Sequence, residues 1–233
     1  MSIGTNNESS LHRELKFRYA GQDGETEAEV AGFVADGINA EGEYIEVQTG
    51  SFGPLLKKAL ALQHRLRVIY PVIITKHIEV FNKRGKLRYR RKSPRRGSPW
   101  DLFNALVYAP DLPLIPGLVI ELALVDAAEK RVQDGKGSWR RRGVSIHDRQ
   151  MLALRDSITL EKPSDYIRFV PFKKNEQFTS ALMAQKAGIP VDLARKTLYV
   201  LVRLGIVEKT GKRGNSLVYV RTRVKRGKWS KKK

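Results

Sequence analysis

The chain has 233 residues, 41% of them hydrophobic, enough for one medium domain and a small second one. Its formal charge is +20, and with no cysteine it can hold neither a disulfide nor a Cys-ligated zinc. The four histidines (His12, His64, His77, His147) are too scattered for a histidine metal cage, and no apolar run is long enough for a membrane span.

The charge is unevenly spread. The first 50 residues carry 10 acids and 3 bases, while the rest carry 14 acids and 41 bases. That asymmetry predicts an acidic patch within a protein that sits on a polyanion, nucleic acid foremost. The N-terminal MSIGTNNESS lacks the basic-then-apolar layout of a signal peptide, so a cytoplasmic, nucleoid-associated protein is expected.

In chain order, the first nine residues are mostly polar. Leu11, Leu15 and Tyr19 then recur at helical spacing behind Ser10, a suitable N-cap, and predict a short helix. AEVAGFVADGI and EYIEVQT read as two strands joined through NAEG, with Gly42 in the turn. SFGPLLKKALALQHRL predicts a helix, with Pro54 in its first turn and Leu55, Ala59 and Leu62 on one side. RVIYPVIIT reads as a buried strand in spite of Pro71. Together these predict an α/β core.

From Lys83 to Arg96 there are nine Lys/Arg and no acid, with a turn expected at Arg84-Gly85. PWDLFNALVYA suggests a helix. LVIELALVDAAEKRV fits strand or helix equally, because its apolar residues are continuous. QDGKGSWRRRG reads as a turn with Arg140, Arg141 and Arg142 beside Trp139. Beyond it, residues 178–223 read as helix, Gly-Ile-Pro turn, helix, then two strands around KTGKRGNS, and VKRGKWSKKK is a basic tail expected to be disordered.

The strand pair carries the chemistry. A hairpin symmetric about Glu41 sets Asp36 directly opposite Glu46, and two carboxylates paired that way repel. A divalent cation between them reverses the sign, since Mg2+ prefers oxygen ligands. Glu46 and Gln48 share one strand face. Glu27 and Glu29 are rival ligands on the strand before, with Glu29 facing away from Asp36 in a regular strand.

Asp36, a short spacer and then Glu46-Val47-Gln48 at the end of an apolar strand resemble the active-site motif of the PD-(D/E)xK nuclease superfamily, over roughly residues 10–80. The helix bearing Glu14 in HRELKFR is similar to the first helix of that core. The resemblance implies a restriction-endonuclease-like core, a mixed sheet flanked by helices. It also implies Mg2+ (or Mn2+) held by Asp36 and Glu46 with help from Glu14, and hydrolysis of a phosphodiester by an activated water. Gln48 stands where the superfamily usually has Lys. It can hydrogen-bond a water or a phosphate but supplies no positive charge.

The C-terminal segment resembles a winged helix-turn-helix domain. Leu193, Thr197, Val200, Leu201 and Leu204 form its core-facing stripe, and Asp192, Arg195, Lys196, Tyr199 and Arg203 lie on the face expected to meet a major groove. Lys212 and Arg213 fall at the wing. Arg88, Arg90, Arg91, Arg95, Arg96 and Arg140–Arg142 are the expected phosphate contacts, with Tyr89 or Trp139 stacking on bases or sugars. The expected organisation is a nuclease-like domain at 1–165 with a basic extension around 81–150, a winged helix at 166–224 and a tail at 225–233. The expected function is a metal-dependent DNA endonuclease. The alternative is a non-catalytic DNA-binding regulator on a degenerate core. DNA ranks above RNA as partner, and cutting both strands of a duplex would call for two sites, hence a homodimer.

Overall fold

Leu11 and Leu15 are buried on one side of helix α1 (Ser10–Ala20), and the cap is Ser9, whose side chain accepts a hydrogen bond from His12 N. The structure, a computed structural model, describes residues 8–21, 25–62 and 65–222, and the basic tail at 225–233 lies outside them. The stretch expected to form one strand before NAEG breaks at Ala31-Gly32, both at positive φ (47° and 77°), into β1 (Glu25–Val30) and β2 (Phe33–Ile38). Strand β3 (Tyr44–Val47) follows antiparallel to β2, and helix α2 (Leu55–Ala61) crosses over to β4 (Leu66–Phe81), which runs parallel to β3.

Beyond β4, the chain turns at Asn82–Lys86 into β5 (Leu87–Lys92), passes a 3-10 turn at Pro99–Asp101 and helix α3 (Leu102–Leu106), and enters β6 (Val119–Gln133) and β7 (Val144–Leu160). Strands order β1-β2-β3-β4-β6-β7 in a mixed sheet, with β5 antiparallel to the distal half of β4. The ambiguous apolar run is thus a strand, β6. It is continuous in sequence because it is buried on both faces: Leu122 packs into the core on the α2 side, while Ala123 and Val125 pack under α1. Pro71 is tolerated for a local reason. Ile69 O accepts from Gln48 N, so Pro71, two residues on, aims its missing donor at the same edge, where β3 has already ended. β7 is an edge strand whose pairing with β6 is broken by three register shifts; such bulges hinder edge-to-edge association.

Residues 163–222 hold a 3-10 turn (Pro163–Phe169), β8 (Gln177–Phe178), α4 (Ser180–Ala187), α5 (Val191–Arg203), β9 (Val207–Arg213) and β10 (Ser216–Arg221), with a small sheet ordered β8-β10-β9. The helices and final hairpin fall where the sequence places them; the two-residue β8 has no sequence signal. The expected boundary at 165/166 is not a loose linker. Tyr166 and Phe169 are buried, Phe169 meets Phe103 edge-on at 4.9 Å, and one core runs from Val68 and Leu122 through these rings to Met183 and Leu198. Burial of that continuous apolar seam, at roughly 25 cal/mol per Å2, holds the C-terminal unit on α3.

Candidate active site

Antiparallel pairing between β2 and β3 covers only Gly37↔Ile45 and Ile38↔Tyr44. Continued by one step, this register sets Asp36 opposite Glu46, but there the strands part into a fork. The next donor along β3, Val47 N, is taken by Asp36 Oδ2 at 2.8 Å instead of by a backbone carbonyl. On the other side, β1 is also irregular at this level: Glu27 takes a left-handed φ of 61° between the regular pairs Thr26↔Gly37 and Ala28↔Ala35. A non-glycine residue in that region costs about 1 kcal/mol or more, and such strain gathers at functional sites.

Two helices close the fork. His12 Nε2 on α1 lies 3.1 Å from Asp36 Oδ2, and its Nδ1 lies 3.2 Å from Glu8 Oε1. Lys16, one turn on, reaches Glu27 at 3.4 Å. From α2, Lys58 donates to Glu46 Oε2 and to Val34 O, so a lysine bridges the two arms of the fork.

The electrostatics follow from these neighbours. Burial alone would raise Asp36, but the hydrogen bonds from His12 and Val47 N, with the charges of His12 and Lys16, outweigh it and leave its pKa below the usual carboxylate value. Burial lowers His12, yet Asp36 and Glu8 prevail and raise it. Glu46 is raised, by burial first and by the charge of Asp36 second, against the opposing Lys58. The two carboxylates therefore feel each other, and Glu46 carries the unrelieved part of the repulsion.

Of the four motif residues, Asp36 and Glu46 come together. Gln48 follows them directly out of β3, with its Nε2 donating to Ser51 O at 2.5 Å. Glu14 does not join. It sits two residues from both His12 and Lys16, hence on the other side of α1, and it is exposed. Among the described residues no group of three or more His, Cys, Asp or Glu is placed to hold a metal ion. Sequence reasoning missed His12, Lys16 and Lys58. The i, i+4 spacing of His12 and Lys16 was the available signal for two basic groups on one face of α1, where they meet Asp36 and Glu27.

Whether Mg2+ would fit depends on the free oxygens. The contacts fall on Asp36 Oδ2 and Glu46 Oε2 and leave Asp36 Oδ1 and Glu46 Oε1 without a hydrogen bond among the described residues. Mg2+ keeps several waters and takes one or two carboxylates plus phosphate oxygens, so this donor pair suits it.

The expected phosphate contacts fall into three groups. Arg88, Arg90 and Arg91 lie on β5, exposed along its whole length, with Arg90 3.3 Å from Glu79. Arg95 lines an open cleft of ≈ 440 Å3 with Lys76, Arg149 and Asn104, and Arg96 follows it on the surface. Arg140 and Arg142 are exposed in the β6–β7 turn. In the C-terminal unit, Arg195 and Tyr199 are exposed on α5, and Lys212 and Arg213 are exposed at the end of β9. Two of the expected groove-facing residues point elsewhere. Arg203 Nε donates to Asp111 at 2.9 Å, and Lys196 Nζ to Asn104 at 3.1 Å, so both clamp α5 onto the first unit. That side of α5 is the docking side because α3 packs there.

A family model described as "Domain of unknown function (DUF8091)" matches residues 9–161, from the start of α1 to just past β7. The chain belongs to the DUF8091 family. It is 31% identical over 222 residues to an uncharacterized protein of Treponema pallidum (strain Nichols), covering 94% of this chain and 87% of that relative. An alignment of that length takes in the C-terminal unit as well as the DUF8091 segment. No solved structure matches the chain. Among the described residues no helix is long and apolar enough to cross a membrane.

Proposed function

We propose that this DUF8091 protein is a metal-dependent DNA endonuclease whose active centre is the fork between β2 and β3. The observation that carries the reading is that Asp36 and Glu46 share one fork, each with a free oxygen, while Lys58 and His12 offset their charge. The succession of helix, antiparallel meander, helix and parallel strand supports a PD-(D/E)xK-type core. The order of β8, α4, α5, β9 and β10 supports a winged helix after it.

Asp36 and Glu46 would hold the Mg2+ or Mn2+, which when bound polarises the scissile phosphate and makes water acidic enough to attack. The chain's own residues do the rest. Val47 N–H and His12 fix the Asp36 carboxylate from two directions. Lys58 brings to Glu46 the positive charge that Gln48 lacks, placed to neutralise charge developing on a phosphoryl oxygen. Gln48, tied to Ser51 O, fixes the loop between β3 and α2 and has one amide oxygen left to orient a water. The basic surfaces bring a polyanion to a centre that bare carboxylates would repel.

The test is incubation of supercoiled, linear, branched and single-stranded DNA with Mg2+ or Mn2+. Cutting that disappears in Asp36→Asn and Glu46→Gln is expected; binding without cutting in either metal would refute catalysis. That second outcome is what a non-catalytic DNA-binding regulator predicts. The observation favouring it is that both carboxylates already have cationic partners from the chain itself.

A further inference from the structure

We propose that the tip of the β6–β7 hairpin is a base-stacking wedge: Trp139 stacks on an unpaired base of a nucleic acid whose flanking phosphates are taken by Arg140, Arg141 and Arg142. The inference rests on the nucleic-acid part of the reading above and not on cleavage.

Trp139 is 91% exposed. An indole that meets no neighbour forgoes the burial that makes tryptophan stabilising, so folding alone gives no reason for it there. The turn that presents it is built rather than slack. Gly135 N donates to Gly143 O, Arg141 N to Ser138 O and Arg142 N to Trp139 O, each at 2.9 Å. Asp134 accepts from Lys136 N at 2.9 Å and from Ser145 Oγ at 2.6 Å, and Arg141 Nε donates to Val144 O at 3.2 Å. Gly137 is obligatory, because a Cβ there would lie 2.0 Å from Val144 O. Such a turn holds the ring out in water at little further entropic cost on binding.

The surroundings specify the partner. Phe81 pairs with Val132, so the Asn82–Lys86 turn and the Trp139 turn lie at the same end of the sheet. Together, residues 82–88 and 133–143 bring eight Lys/Arg and one acid, Asp134. A flat aromatic face among cations matches a base flanked by phosphates, and such a face is open only where a strand is single, gapped or branched. An anionic lipid surface offers the charge, but insertion needs several apolar side chains, and Trp139 is the one apolar residue between Asp134 and Gly143. The fork pairs with β4 at Val68; Phe81 lies roughly 43 Å further along that strand, and the tip lies beyond it. That is more than one turn of duplex, which is roughly 35 Å, so a single DNA of about two turns can meet both.

The experiment measures binding by the full chain in EDTA, so that cleavage plays no part. The probes are a perfect duplex, a gapped duplex with 2-aminopurine at the unpaired position, and vesicles of phosphatidylcholine and phosphatidylserine. Trp139→Ala, with an unchanged melting temperature, is expected to weaken binding to the gapped duplex by roughly 5- to 100-fold. The loss on the perfect duplex should be several times smaller, Trp139→Phe should restore most of the affinity, and 2-aminopurine emission should fall with the wild type but not with Trp139→Ala. Equal losses on both DNAs, or no loss, would overturn the wedge while leaving DNA binding intact. A blue-shifted indole on vesicles with no effect on DNA would overturn it in favour of a membrane. Failure of the wild type to bind either DNA would overturn the nucleic-acid reading itself.

Discussion

Lys58, on the helix that follows β3, folds back and donates to Glu46 on that strand. Glu46 is half-buried beside Asp36, which raises its pKa, and Lys58 is the chief group opposing the rise, with His12 behind it. Replacing Lys58 with Met removes the compensating charge and should cost about 2 kcal/mol of stability in EDTA, between the values for breaking an exposed pair and a fully buried one. Mg2+ should then recover more stability in the variant than in the wild type, because it supplies the missing cation. Thermal melts with and without Mg2+ check this, and equal responses would separate Lys58 from the metal site.

The His12–Asp36 contact gives metal-free stability a defined pH window. His12 is raised above its ordinary 6.5, so its contribution is full below that pH and is lost as pH climbs through the folded value. Asp36 is lowered beneath its ordinary 3.8, so its contribution is present above that pH and is lost as pH falls through the folded value. Stability from the pair should therefore be greatest between the two, and His12→Ala should flatten the decline on the alkaline side. Melting temperatures across pH 5 to 9 in EDTA, with NMR titration of the imidazole, give the measurement.

On α5, neighbouring arginines should behave differently. Arg203 is spent on Asp111, an exposed pair, so Arg203→Ala should lower stability by under about 1 kcal/mol and leave DNA affinity nearly unchanged. Arg195, Lys212 and Arg213 are exposed. Replacing all three should weaken binding and make its salt dependence shallower, by up to about 0.9 in slope for each phosphate no longer neutralised. Titrations at several salt concentrations separate the two cases.

These contrasts mark what could be read in the sequence. The register that sets Asp36 opposite Glu46 followed from taking the ribbon as symmetric about Glu41, and the pairs Gly37↔Ile45 and Ile38↔Tyr44 keep that symmetry. The cations around it were not. His12, Lys16 and Lys58 come from helices whose placement over the sheet depends on Ile45, Ile69 and Val125 on one face and Val68 and Leu122 on the other, and local periodicity cannot orient them. Glu14 was misassigned for the same reason, since a two-residue step along a helix turns a side chain away. The apolar run of β6 was ambiguous because burial on both faces erases alternation. Arg203 and Lys196 looked like a groove-facing set because sequence gives the polar side of a helix but not what docks against it.

Glu129 has a structural rather than a catalytic part to play. It is 2% exposed, receives Arg131 at 2.6 and 2.8 Å and Arg149 at 3.2 Å, and Lys76 stands 3.7 Å away. Its pKa is lowered because these cations outweigh the effect of burial. Glu129→Leu should cost about 2 to 3 kcal/mol in denaturant unfolding, since it leaves three crowded cations without their shared partner. Their mutual repulsion should also make the loss larger in low salt than in high salt.

The central claim is that Asp36 and Glu46 share a divalent cation. A crystal of the full chain grown with Mn2+, read by anomalous scattering, tests it most directly. The expected result is a peak in the fork between Asp36 Oδ1 and Glu46 Oε1, absent in Asp36→Asn. An empty fork at saturating Mn2+, with Lys58 still on Glu46 and His12 still on Asp36, would contradict the claim.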